Sequence, residues 1–141
     1  NLQAALGVAH LEQIEKFIEK KRWIGNMYNE LFVNLKEIQK PLPKTNYARN
    51  IYWVYGLVLN NDSKFNASDV IKNLDKYGVK CRPFFYPLHK QPILKKMGFF
   101  KNETYPVAEK ISNYGFYLPS GLALTPEQIK YVADSLIKIT K

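Results

Sequence analysis

Cysteine is almost missing from this sequence: Cys81 is the single one among 141 residues. One thiol cannot build a disulfide framework, and that fits a reducing compartment such as the cytoplasm. Histidine occurs only as His10 and His89, far apart in the chain. With one cysteine and two distant histidines, no stretch has the spacing of a metal site. The seven glycines are dispersed, so there is no glycine-rich loop to cradle a phosphate. No apolar run approaches the ~18 residues of a membrane span. The N-terminus reads as an amphipathic helix, not as a secretory leader. No Ser/His/Asp set has a recognisable signature, and no paired acids flank an aromatic loop, which leaves a glycosidase dyad unsupported. Acids are scarce overall: 12 Asp and Glu stand against 21 Lys and Arg, for a formal net charge of +9.

That charge raises the question of nucleic acid or another anionic partner. The excess is nearly all lysine, since only Arg22, Arg49 and Arg82 are arginines. Most lysines sit in helical patterns such as "EKFIEKKR" and "LIKITK", where a solvated face is the simpler reading. "KKMGFFK" (Lys95 to Lys101) echoes a basic, glycine and aromatic RNA-binding strand, but follows a helical pattern and lies in no convincing strand.

What the chain does have is apolar content, 46% with 14% aromatic, enough for one domain with its own core. From Leu2 to about Leu35 apolar residues recur at helical spacing. One straight helix of that length would run ~50 Å, against a diameter below ~40 Å for a compact domain of this size. The helix is therefore expected to bend near Gly7 or Gly25, or to extend toward something else. Its first turns, "LQAALGVA", are apolar nearly all round and want a covering surface. His10 is expected on the packed side of that helix, and Cys81 as a small buried hydrophobe mid-strand.

"KPLPK" (Lys40 to Lys44) is expected to end the helix. "NIYWVYGLVL" (Asn50 to Leu59) reads as a central strand, apolar on both faces. Ser68 is the expected N-cap of the next helix and Gly78 its C-cap. "VKCRPFFY" reads as a second strand that Pro83 confines to an edge, an end or a bulge. Short helices follow in "QPILKKMG" and "TYPVAEKISNYG", then a short extended piece, "FYLPSG". A final helix carries a capping box, Thr125 with Gln128, and Pro126 at its first position. The expected class is α+β: a long N-terminal helix and a small, mostly antiparallel sheet with helices packed on one face.

The candidate site is "RPFFYPLHKQP", Arg82 to Pro92, with three prolines, three aromatics and no acid. Pro87 stiffens the backbone beside Tyr86 and His89, so those side chains lose less entropy on meeting a ligand. Arg82, His89 and Lys90 offer donors for phosphate, and tyrosine adds a stacking face and a hydroxyl. The competing reading is a proline-bent connection whose aromatics fill space. The residues alone do not choose between them.

"LQAALGVAHLEQIEKFIEKKR", "RPFFYPLHKQP" and "YLPSGLALTPEQIKYV" occur here in one order. Together they resemble the C-terminal part of the DegT/DnrJ/EryC1/StrS sugar-nucleotide aminotransferases, and "LPSGLALT" resembles the branch that makes GDP-perosamine. The resemblance covers essentially the whole chain. It implies the small domain of the type I aspartate aminotransferase fold, with residues 1–35 as the connecting helix from a large domain and residues 36–141 as the C-terminal small domain. It implies pyridoxal phosphate as cofactor of the full-length enzyme, with the Schiff-base lysine and the pyridine-nitrogen acid in the large domain. No lysine of this chain sits in a matching motif, so the chain alone is expected to bind no cofactor, to hold no catalytic residue and to be inactive.

It further implies a cytoplasmic homodimer with a 4-keto nucleotide-sugar as substrate, amination from glutamate, and a place in surface polysaccharide synthesis, with neither nucleic acid nor membrane as partner. Tyr86, His89 and Arg82 are then the substrate-binding candidates. The alternative class is a stand-alone basic α+β module that binds nucleic acid or another anion.

Overall fold

The computed structural model describes residues 1–60 and 62–140. Asn1 caps the first helix, α1 (Leu2–Leu11), by accepting from the Gln3 amide at 3.1 Å. A second, α2 (Ile14–Leu31), follows after two residues. The long helix is therefore interrupted, but at neither glycine. The break is at Gln13, whose ψ of 8° leaves the helical range. The hydrogen-bond ladder tightens there to a three-residue step, Gln13 N donating to His10 O at 3.1 Å, and resumes with Phe17 N to Gln13 O at 3.2 Å. His10 is exposed, not packed inward, and its ring stands edge-on to Phe17 across 6.1 Å. Nothing in α1 is buried.

Gly25 stays helical because it serves packing. A Cβ there would stand 2.4 Å from the ring of Tyr52, so only glycine lets that ring lie on the helix. Tyr52 itself has a positive φ of 51°, held by its amide donating to Asn50 Oδ1 at 2.7 Å. That conformation costs a non-glycine residue roughly 1–2 kcal/mol.

α2 stops at Leu31, well before "KPLPK", which the sequence pattern made the terminator. Lys40 does reach back, donating to Phe32 O at 3.1 Å beyond the helix end. Between them lies a strand that periodicity did not show, β1 (Ile38–Gln39), too short for an alternating pattern. The second strand is confined to β2 (Tyr55–Leu59), because Tyr52's left-handed backbone breaks the extended run before it. α3 (Ala67–Lys76) is capped by Asn66, not Ser68, which lies inside its first turn. Asn66 Oδ1 accepts from Asp69 N at 3.0 Å and Asn66 N donates to Asp69 Oδ2 at 3.3 Å. The C-cap is Tyr77, with Gly78 next at φ +73°.

β3 (Arg82–Pro83) is shorter than "VKCRPFFY", and Cys81 precedes it, half-buried and not sealed in the core. A 3-10 turn (Leu88–Lys90), α4 (Pro92–Lys96) and α5 (Pro106–Tyr114) follow. α5 runs directly into β4 (Gly115–Leu118), and α6 (Pro126–Thr140) closes the fold. The Thr125 and Gln128 capping box forms as expected.

The sheet order is β1-β2-β4-β3, antiparallel throughout. β2 is an inner strand, and Pro83 sits on the edge strand, where its missing N–H costs no ladder bond. Tyr55 opposite Leu118 and Leu57 opposite Phe116 put one face on the core. Ile24 and Tyr28 of α2, Val70 and Leu74 of α3, and Ile129 and Leu136 of α6 fill that side.

The buried tyrosines are all satisfied: Tyr28 donates to Pro119 O at 2.8 Å, Tyr55 to Asn29 Oδ1 at 2.8 Å, and Asn29 Nδ2 to Tyr52 Oη at 2.9 Å. Desolvation pushes the Tyr28 and Tyr55 hydroxyls well above the ordinary phenol value.

Candidate functional site

The opposite face of the sheet carries Gly56, Val58, Gly115 and Tyr117. Phe84 folds over it. A Cβ at Gly56 would stand 2.6 Å from its ring, and one at Gly115 2.2 Å, so two glycines on neighbouring strands make the slot for this ring. Phe84 N donates to Gly115 O at 2.9 Å, which extends the β3 pairing by one residue. The loop from Arg82 to Pro92 thus starts from a fixed point.

Beyond Phe84 the side chains divide. Phe85, Tyr86 and Leu88 are exposed, while Pro87 and His89 turn inward. The 3-10 turn is closed by Lys90 N to Pro87 O and Gln91 N to Leu88 O, both 3.0 Å, and Pro92 then begins α4. The loop is held at its start by the half-buried Phe84 ring, at Pro87 and Pro92 by proline and between them by the 3-10 turn, and loops of that kind present ligand groups at low entropic cost.

The three candidates fall in different settings. Arg82 is exposed on β3, directly opposite Tyr117. Tyr86 is 57% exposed. His89 is only 8% exposed. Its Nε2 lies 3.1 Å from Glu109 Oε1, and its ring centroid 4.8 Å from that of Tyr105. Lys90 Nζ donates to Glu109 Oε2 at 2.8 Å. The loop carries no acid of its own, but α5 supplies one. The bonds from Lys90 and then His89 hold the Glu109 carboxyl below the usual carboxylate value.

Sequence reasoning missed Glu109. Its position in the first turn of α5 is where any helix favours an acid, so nothing local connected it to a histidine 20 residues earlier.

Lys21 was also missed. It is half-buried, its pKa lowered by desolvation, and its Nζ donates to Trp53 O at 2.9 Å and Ser120 O at 2.6 Å. It pins α2 to two loops. That occupation bears on pyridoxal phosphate, which needs a lysine free to reach its aldehyde and an acid for its ring nitrogen. Lys21 is spent on carbonyls, and no acid accompanies it in those bonds. Lys21 therefore does not fit this cofactor.

Elsewhere, a cleft beside α2 is lined by Arg22, Lys44 and Arg49, but the adjoining cleft sets Glu15, Glu19 and Glu30 around the same two arginines. "KKMGFFK" forms the end of α4 and a turn, not a strand. Among the described residues no three metal-ligating side chains gather, and no helix is long and apolar enough to cross a membrane.

Similarity to known proteins gives the chain its family. The profile of the DegT/DnrJ/EryC1/StrS aminotransferase family matches residues 1–137. The chain belongs to that family. A relative of this DegT-family chain, the GDP-perosamine synthase of Vibrio cholerae, is 28% identical over 137 residues, covering 96% of the chain and 36% of that protein. Among solved structures, the Helicobacter pylori aminotransferase PseC, involved in pseudoaminic acid biosynthesis, superposes with a TM-score of 0.87 at 17% identity over 98% of the chain and 36% of PseC. The Escherichia coli GDP-4-keto-6-deoxy-D-mannose-3-dehydratase, solved with hydrated pyridoxal phosphate, superposes at 0.78 with 18% identity, over 94% of the chain and 34% of the dehydratase. The chain therefore spans about a third of the length of these proteins. The structural likeness agrees with the fold, and neither it nor the family match favours a stand-alone basic module.

Proposed function

We propose that this chain is the C-terminal small domain of a pyridoxal-phosphate-dependent aminotransferase that transfers an amino group, with glutamate as donor, to a 4-keto nucleotide-sugar. In this reading residues 1–35 connect to a large domain and residues 36–141 are the small domain. The enzyme is a cytoplasmic homodimer serving surface polysaccharide synthesis. What carries the reading is the family match over residues 1–137 in a chain about a third as long as its relatives. The synthase and the dehydratase both have a GDP-linked sugar in their names, which supports that substrate class.

When bound, the cofactor supplies an electron sink for the amino transfer. The work of this chain is to bind and orient the sugar nucleotide. The loop from Arg82 to Pro92 faces the substrate: the Arg82 guanidinium suits a diphosphate, and Tyr86 offers a ring face and a hydroxyl. His89 contributes the ring nitrogen that Glu109 leaves free.

The deciding experiment expresses the chain joined to whatever its gene encodes ahead of Asn1. The product is supplied with pyridoxal phosphate, glutamate and GDP-4-keto-6-deoxymannose. Mass spectrometry should then show the aminated sugar nucleotide. An upstream sequence without a Schiff-base lysine, or no amination of any 4-keto nucleotide-sugar, overturns the proposal.

A further inference from the structure

Glu109 meets the loop at two adjacent residues, His89 and Lys90, with one carboxylate oxygen for each. An ionised carboxylate accepts and cannot donate. In the contact with Oε1, His89 Nε2 must therefore carry the hydrogen, whether the ring is neutral or charged. Nδ1 is left as the ring nitrogen that Glu109 does not engage. The second acid nearby, Glu103, is engaged by the Tyr105 hydroxyl, and Tyr105 lies against the imidazole. Glu109 is itself well anchored. It sits in the first turn of α5, and α5 passes without a loop into β4, an inner strand of the sheet.

We propose that Glu109 is the positioning residue of the substrate-facing loop. It fixes neutral His89 in the Nε2–H form and anchors the loop through two charge-assisted bonds. In the neutral ring Nδ1 is then an acceptor, and in that form it suits a sugar hydroxyl and not a phosphate oxygen, which is also an acceptor. The inference rests on the reading of the loop as substrate-facing and adds which group of the sugar nucleotide His89 would meet.

The chain has only two histidines, so ring-nitrogen NMR can be read on it directly, with His10→Asn removing the second signal. Neutral His89 should be essentially all Nε2–H. Glu109→Ala should give a tautomer mixture and speed amide exchange across residues 84–91 by about tenfold, with the Leu57 and Phe116 amides unchanged. Glu109→Gln, whose carbonyl still accepts from Nε2–H, should keep the tautomer but lose the charge-assisted bond to Lys90, so that exchange in the loop still rises. If the alanine variant loses core protection, the glutamine variant gives the answer.

A dominant Nδ1–H form, or loop exchange unchanged in the glutamine variant, overturns the proposal. In an enzyme active by the assay above, Glu109→Gln should raise KM for the nucleotide-sugar about tenfold with kcat less affected. Failure of amination with the NMR signatures intact sinks the functional reading and leaves Glu109 standing. Amination with those signatures absent sinks Glu109 alone.

Discussion

At the scale of single residues, two positions show how strongly neighbours decide a side chain's value. Gly25→Ala would gain about 0.5–1 kcal/mol in helix propensity, yet its Cβ would lie 2.4 Å from the Tyr52 ring. That ring is buried and hydrogen-bonded through Asn29, so it cannot swing away cheaply. Overpacking of this kind costs about 1–3 kcal/mol, and the urea midpoint should fall. Gly7→Ala meets nothing within 4 Å and should leave the midpoint unchanged or slightly higher.

The second position is Cys81. Burial pushes its thiol up to about 12. At pH 8 it should react with iodoacetamide at least a hundredfold more slowly than a free thiol, because so little thiolate is present. The sign for stability follows: the unfolded chain loses this proton at the ordinary thiol value, the folded chain only near 12. The contribution is complete below the ordinary value and is lost as pH climbs toward 12. Fast alkylation at pH 8 in the folded protein would refute that shift for this half-buried thiol.

At the scale of elements, α1 stands apart. Leu2, Leu6, Val8 and Leu11 are all more than half exposed, whereas α2, α3 and α6 each bury a stripe against the sheet. α1 therefore adds nothing to the core, and its apolar turns remain available to a partner surface. Deleting residues 1–12 should move the melting midpoint by no more than about 3 °C. Light scattering should show concentration-dependent association of the intact chain and its loss in the shortened one. A strictly monomeric intact chain at high concentration would contradict this, and so would a large drop in stability on deletion.

At the scale of the whole molecule, the sheet divides the work. One face holds the core, and the other gives Phe84 a slot and so fixes the start of the Arg82–Pro92 loop. Among the described residues most lysines are exposed, Lys21 is tied to carbonyls and Lys90 to Glu109. The isolated chain incubated with pyridoxal phosphate and borohydride is expected to show no stoichiometric reduced adduct and no transamination. Stable, site-specific reduction onto one lysine would place cofactor chemistry in this chain and overturn the division of labour proposed for it.

What the sequence determined by itself is local. The Thr125 and Gln128 box, Pro106 and Pro126 at helix starts, the helix end at Gly78 to within one residue, and Pro83's exclusion from an inner strand position were legible because each rests on residues within four positions of each other. Three separated motifs were also enough to place the chain in its family. The tertiary structure decided everything that joins distant positions. The helix breaks at Gln13 while both glycines stay helical, one of them because Tyr52 needs the space.

Two residues make β1 a strand only because Leu59 and Val58 lie alongside. Lys21 finds Ser120 across 99 positions, and Glu109 finds His89 across 20. Those contacts carry no local signature, because their energy depends on where the chain path brings two polar groups together away from water. The loop's rigidity was readable from its prolines. The acid that orients its histidine came from another element, and only the fold could bring it there.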